Sequence, residues 1–298
     1  MSSTRDWTHV FATEALPRAR VRTRRLGRRV LLYAGLGVVG IFVLVTVFAP
    51  FIAPYDPTAV TEAGRLQSPS AAHPMGTDQL RRDVLSRVIY GGRIPLLVAI
   101  LSCVTSLSLG TILGWLSGFS GGRLDRILSL IMDAIYSFPA LVLAIAIVAM
   151  LGPGLLNMIS AIAFVYIPAY FRVARAQTLV IREQEYVEAA RSAGASRSRV
   201  LLRHVAPNTL NAVMTVPSFN IADAIVTEAA LAFLGFGLPP PTPDWGFDIQ
   251  NGQRFLQSGF WWLITFPGLV IVLLSLGFGI IGEGLNDLLN PRRRQVGG

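Results

Sequence analysis

Glu185-Tyr186-Val187-Glu188-Ala189-Ala190-Arg191-Ser192-Ala193-Gly194-Ala195 is a charged, Ala-rich island between two strongly apolar runs, and it continues to Arg203-His204-Val205-Ala206-Pro207-Asn208. From Arg182 to Ala193 the residues are good helix formers without Pro or Gly, and Tyr186, Val187, Ala190 and Ala193 recur at helical spacing. A short helix is predicted there. Gly194 stands where a left-handed C-cap residue is needed, and Ser196 is placed to N-cap a second helix running through Arg203. The expected product is a helix-turn-helix on a membrane surface. Its small residues Ala189, Ala190 and Ala193 leave room for the backbone of another protein; the plainer alternative is a solvated loop helix.

The surroundings of the island set the class. The chain has 298 residues, of which 52% are hydrophobic and 14% charged, and its mean hydropathy is +0.54. A soluble domain carries about a quarter charged residues, so the surplus apolar surface needs lipid as solvent. The chain therefore reads as all-α and polytopic. All 26 basic residues are Arg, which removes any P-loop lysine, and they sit in loops between apolar runs rather than on one soluble face, against a nucleic-acid partner. Cys103 is alone, and His9, His73 and His204 lack ligand spacing, so no metal site and no catalytic residue is expected in this chain. Ser120-Gly121-Gly122-Arg123 faintly resembles an ATPase signature, but no G-x-x-x-x-G-K-[ST] accompanies it.

Six membrane-spanning helices are predicted. After a basic N-terminal segment (1–29), the apolar run 30–52 is long enough to cross a bilayer, which takes about 20 residues, and is read as an uncleaved first helix. A polar, turn-rich extracytoplasmic loop (53–93) follows. The core (94–290) then holds five further spans, near 94–116, 130–151, 155–171, 212–234 and 262–281, with the charged island inside a cytoplasmic loop (173–208) and a basic tail at 291–298. With both termini inside, 20 of the 26 Arg residues fall on the cytoplasmic side, as the positive-inside rule asks. The fifth span is unusually polar. Asn220, Asp223, Thr227 and Glu228 lie within it, and Asp223, about 16 Å from its start, falls near the midplane. Intramembrane carboxylates usually face a bundle interior or a water-filled cavity, so these four are candidate pathway residues, with a role as glue between helices as the alternative. Trp245, Trp261 and Trp262 are expected in an interfacial belt.

The spacing of Glu188-Ala189-Ala190, Gly194 and His204-Val205-Ala206-Pro207 resembles the E-A-A-x3-G-x9-I-x-L-P loop of ABC importer permeases. Three further segments resemble the peptide and nickel branch of that family: His73-Pro74-Met75-Gly76-Thr77-Asp78 through Arg87, Glu228 through Gly237 with Pro239 through Gly246, and Gly282 through Arg292. Two departures stand out. Arg81 occupies a position where that branch usually has Gly, which suggests relaxed backbone packing. Leu130 replaces an Arg three residues before Asp133, so Asp133 is expected to pair with Arg126 or Arg123 or to stay at the wet interface.

The resemblance implies a type I importer permease fold with cytoplasmic termini, in a multi-pass protein of the bacterial inner membrane. It implies a dipeptide or oligopeptide transport subunit in which Glu185, Tyr186, Glu188, Ala189, Ala190, Gly194 and Ala195 dock on an ATPase subunit. The partners it implies are a second homologous permease, two ATPase subunits that bind the ATP and magnesium, an extracytoplasmic substrate-binding protein, the peptide and the bilayer. Nickel, haem and glutathione importers share the architecture and remain open as cargo alternatives. An ion-coupled secondary transporter, driven through Asp223 and Glu228, is the alternative of another class; it would need paired broken helices in two halves.

Overall fold

The computed structural model describes residues 19–289 of the chain, with side-chain surroundings for 30–286. The segment 1–18 and the tail 291–298 lie outside the described residues, and with them Arg5, Arg18 and Arg292 to Arg294 of the topology argument; the other N-terminal arginines lie on the first turns of the first helix. In chain order the helices are α1 (Ala19–Val47), α2 (Ala49–Ile52), α3 (Val84–Gly91), α4 (Arg93–Ser120), α5 (Gly122–Tyr136), α6 (Ala140–Leu151) and α7 (Leu155–Ile181). They continue as α8 (Glu185–Ser192), α9 (Arg197–Val200), α10 (Ala206–Val213), α11 (Pro217–Leu231), α12 (Trp245–Gln253) and α13 (Trp262–Leu289). Five helical stretches are long and apolar enough to cross a membrane, and the bent pair α5 and α6 makes a sixth.

The centre is α4 packed along α7. Gly110, Gly114 and Gly118 recur one turn apart on α4, and a Cβ on them would meet the carbonyl oxygens of Ile167, Phe171 and Arg175 at 2.6, 2.7 and 2.9 Å. Only glycine permits this approach. In lipid, where apolar burial gives little drive, such backbone proximity and the dispersion contacts it allows hold helices together. Around this pair Val98, Val148, Met158, Ile162, Ile225, Leu231 and Leu274 form one buried cluster that joins α4, α6, α7, α11 and α13. The first helix, α1, lies outside this cluster's centre against α13.

Two expected spans differ from the sequence reading. The third is broken, with α5 and α6 meeting at 92° across Ser137-Phe138-Pro139. Pro139 has no N–H to donate and disfavours helical geometry at Phe138, so the hydrogen-bond ladder stops there. The fifth does not start at residue 212, because α10 ends at Val213 and α11 begins afresh with Pro217 in its first turn, where the missing N–H costs nothing.

At one end of the bundle, residues 53–93 and 237–261 fold together into a cap. Asp83 N-caps α3: its Oδ2 accepts from the Ser86 N–H and Oγ, each at 2.7 Å, and its Oδ1 lies 2.8 Å from His73 Nδ1. Tyr55 stacks on His73 with centroids 4.8 Å apart. Trp245 and Trp262 are core residues rather than belt residues, Trp245 in the central cluster of the bundle and Trp262 against Val84 and Val88 of the cap, and only Trp261 of the three is exposed. Their indole N–H groups donate to the carbonyls of Val88 at 2.9 Å and Thr77 at 3.3 Å, which satisfies the donors and frees the rings for burial. Arg81 also has a different explanation from the relaxed packing that the family resemblance suggests. It holds φ at 62°, so the position requires left-handed backbone, and Arg81 keeps that conformation against the preference of an L side chain.

Candidate functional site

The opposite end of the bundle presents α8. The chain leaves α7 at Ile181, Gln184 adopts extended geometry, and α8 follows with Glu185 and Glu188 in its first turn and Arg191 in its last, as the helix dipole favours. Gly194 turns the chain with φ 83°, and the Ser196 side chain accepts from the Arg199 N–H to start α9. The helix after Ser196 is shorter than expected, since Leu201–Val205 winds with π geometry before α10 begins.

One buried residue fixes this element. Val187 is fully enclosed against Val200 and Val205, with Phe119, Ile181, Ala195 and Leu201 around them. Glu185, Tyr186, Glu188, Ala189 and Gly194 are exposed, while Ala190 and Ala195 are half-buried. Anchoring to the membrane helices is also polar. Trp115 on α4 donates to Thr209 Oγ1 on α10 at 2.7 Å, and Arg182 donates to the Gly118 carbonyl at 2.6 Å. The sequence reading takes Val187 only as one of the residues at helical spacing and does not single out Trp115, although an apolar residue at a central position of a charged helix is the signal for such an anchor.

Beside α8, the turn between α4 and α5 is locked by Asp125, which takes two hydrogen bonds from Arg175 at 2.6 and 2.7 Å and one from Ser117. Asp133 pairs with Arg172 on α7 at 2.8 Å, not with Arg123 or Arg126. The guanidinium of Arg172 also lies 3.9 Å from the Tyr136 ring centroid. A residue distant in sequence thus supplies the cation. Asp125, Arg126, Ser129, Asp133 and Arg175 line an open depression of about 540 Å³.

The four polar residues of α11 separate into two environments. Asn220, Thr227 and Glu228 are buried within this chain. Asn220 lies beside Tyr170, whose hydroxyl is 3.1 Å from Cys103 Sγ, and Thr227 Oγ1 is 3.2 Å from the Tyr166 hydroxyl. Asp223 alone is exposed, on a stripe with Phe219 and Val226. At its cap end α11 meets α12 closely, since a Cβ on Gly246 would lie 2.2 Å from the Ala229 carbonyl oxygen.

Polar groups accumulate at that contact. Arg87 on α3 donates to both oxygens of Asp248 on α12, at 2.5 to 3.2 Å, and to the carbonyls of Pro57 and Pro241. Burial pushes the Asp248 carboxyl up, and the Arg87 guanidinium pulls it back down. Asp244 N-caps α12 through the Phe247 N–H, and burial pushes its carboxyl up as well. Among the described residues, no group of three or more His, Cys, Asp or Glu side chains is placed to hold a metal ion.

Comparison with known proteins places this arrangement. Residues 110–295 match the family described as the binding-protein-dependent transport system inner membrane component. The chain belongs to this family. Residues 20–69 match the N-terminal transmembrane domain of oligopeptide transport permease C. A dipeptide transport system permease of Alkalihalophilus pseudofirmus is 38% identical, over 91% of this chain and 89% of its own length. A probable D,D-dipeptide transport system permease of Escherichia coli is 41% identical over 86% and 85% of the two chains. A glutathione transport system permease of Pectobacterium atrosepticum is 38% identical over 97% and 99%. In fold, the chain is similar to an inward-facing methionine ABC transporter, with a TM-score of 0.56 and 17% identity, covering 69% of this chain and 97% of the other.

Proposed function

We propose that this family member is the membrane-spanning subunit of an ATP-driven importer of short peptides. The observation that carries the reading is α8, a charged helix held to the bundle by Val187 and otherwise presented to solvent, in a chain of the transport-permease family. ATP chemistry belongs to partner ATPase subunits in this reading, and the chain itself is a transport subunit. Its further partners are a second permease and an extracytoplasmic substrate-binding protein. The Arg distribution supports a cytoplasmic α8 and an outward-facing cap in the inner membrane of a bacterium.

ATP-driven closure of the ATPase subunits draws α8 inward through Glu185, Tyr186, Glu188, Ala189, Ala190, Gly194 and Ala195, and the bundle rocks as a body. Closure shifts the membrane gate only by the free-energy difference it makes between the two states, so a loosened α8 uncouples hydrolysis from transport. Asp223 lines the pathway on the open face of α11, while Asn220, Thr227 and Glu228 brace that helix from within. Peptide as cargo is supported by the dipeptide permeases among the relatives. Glutathione is a second reading, supported by the relative that covers nearly the whole chain.

The test is ATPase activity of the reconstituted complex of this chain, its companion permease, ATPase subunits and binding protein. Stimulation by di- and tripeptides supports the proposal. Stimulation by glutathione alone moves the cargo and keeps the architecture, whereas a stable complex that no peptide stimulates overturns the peptide assignment.

A further inference from the structure

Glu228 is among the largest fully enclosed side chains of the described residues, in otherwise apolar and aromatic company. Neither of its carboxyl oxygens reaches a hydrogen-bond partner, and Oδ2 of the equally buried Asp244 has none either. The two carboxyls lie against each other where α12 crosses the cap end of α11. As two carboxylates they are acceptors only, and two acceptors make no bond. Among the described residues no cation bonds to them, although the charge of Arg87 favours the ionised form of Asp244. Arg87 is committed to Asp248, and Arg82 to Asp78 at 2.6 Å. Leaving three buried oxygens unsatisfied beside a second like charge is costly, and the simplest donor that meets all of these conditions is a proton.

We propose that Glu228 and Asp244 share one proton, and that the resulting carboxyl–carboxylate hydrogen bond is a latch fastening the outer end of α11 to α12 and the cap. The latch sits where it can matter to movement. The Gly246 contact with Ala229 leaves α12 no slack on α11, and the chain directly after α11 is irregular, with π winding over Ala232–Phe236 and φ of 91° at Gly235. Release of the proton to solvent puts two negative charges in one enclosed space and drives the elements apart.

The other titratable and charged groups around the pair are few. Asp248 comes from α12, Arg87 from α3, and Arg82 with its partner Asp78 from the cap loop, while Tyr166 of α7 bonds Thr227, the residue before Glu228. The Arg93 side chain of α4 is turned to the Thr46 carbonyl and the Tyr90 ring. The helix α6 has no ionisable residue, and the first on α13, Glu283, is at its far end. A proton held in the folded state and lost from the unfolded one makes stability fall as pH rises above the ordinary carboxylate range, and it is fully present below that range.

The experiment uses the full chain in lipid nanodiscs, native and Glu228→Gln. Infrared spectra near neutral pH are expected to show a protonated-carboxyl C=O band in the native protein, sensitive to deuteration, that Glu228→Gln removes. In thermal unfolding the native equilibrium is expected to weaken by up to about tenfold per pH unit from the ordinary carboxylate range upward until the pair releases its proton, while Glu228→Gln, whose amide donates without titrating, is flatter over the same range. Identical carboxyl bands in the two proteins, or an unchanged pH slope in the variant, overturns the proposal. If Glu228→Gln does not fold, Asp244→Asn provides the complementary donor and is subject to the same criteria. None of these readouts depends on cargo, so failure here leaves the transport reading standing.

Discussion

The two ends of this bundle use polar residues in opposite ways. At the α8 end, Glu185, Glu188 and Arg191 stand in solvent, and the element is held by a single buried valine and a few bonds to its neighbours. At the cap end, Asp83, Arg87, Asp244 and Glu228 are buried and, apart from the facing acid pair, bonded to one another or to backbone. The difference teaches what each end is able to do. An exposed helix on a small apolar foot can be pulled as a unit by a partner. A cap made of buried ionic contacts has discrete bonded and unbonded states, because a half-broken buried pair is worse than either extreme.

The largest effect expected on that comparison comes from removing a buried cation. Arg87→Ala leaves Asp248 enclosed without its partner, and thermal unfolding in nanodiscs should show a loss of about 3–5 kcal/mol; a loss no larger than that of an average surface change would mean that the cap is wetter than its geometry. At the other end, Ala190→Arg should lower ATP-driven uptake by about tenfold or more with the unfolding temperature unchanged. Equal loss of stability and uptake would instead make α8 part of the fold. Gly194→Val forces a β-branched residue into left-handed backbone at a cost of about 1–3 kcal/mol confined to the α8–α9 turn, and Gly194→Asn should restore most uptake because Asn tolerates that conformation.

Smaller changes sharpen the picture. Asp223→Asn should reduce uptake several-fold while leaving unfolding where it was, and normal uptake of every peptide tried would reduce Asp223 to a surface residue of the bundle. Arg81→Gly should raise cap stability by about 1 kcal/mol by relieving left-handed strain at a non-glycine residue. No gain there would mean that the hydrogen bonds at Arg81, where its carbonyl accepts from the Thr61 N–H at 3.0 Å and Oγ1 at 2.6 Å, already offset the strain.

Much of this was legible in the chain. The spacing from Glu188 to Pro207 foretold a helix, a glycine turn and a second N-capped helix, because capping and φ > 0 are demands that a few local residues meet. The helical membrane class followed from the lack of charge. The break at Ser137-Phe138-Pro139 was also written in the sequence, through its proline, yet the hydropathy of the flanking residues concealed it. Trp245 and Trp262 misled because an indole suits an interface and a core equally well, and only the carbonyls of Val88 and Thr77 across the fold decide which.

By itself, then, the sequence determined the class of solvent, the number and order of apolar segments, and the turn chemistry of α8, since each of these depends on residues within a few positions of one another. Tertiary structure alone decided which polar groups meet: Arg172 with Asp133, Arg87 with Asp248, Glu228 with Asp244, and which residue of α11 stays open. Those pairings join positions from 16 to 161 apart in the chain. No local pattern encodes them, because the energy that selects each one exists only after packing has excluded water from both partners.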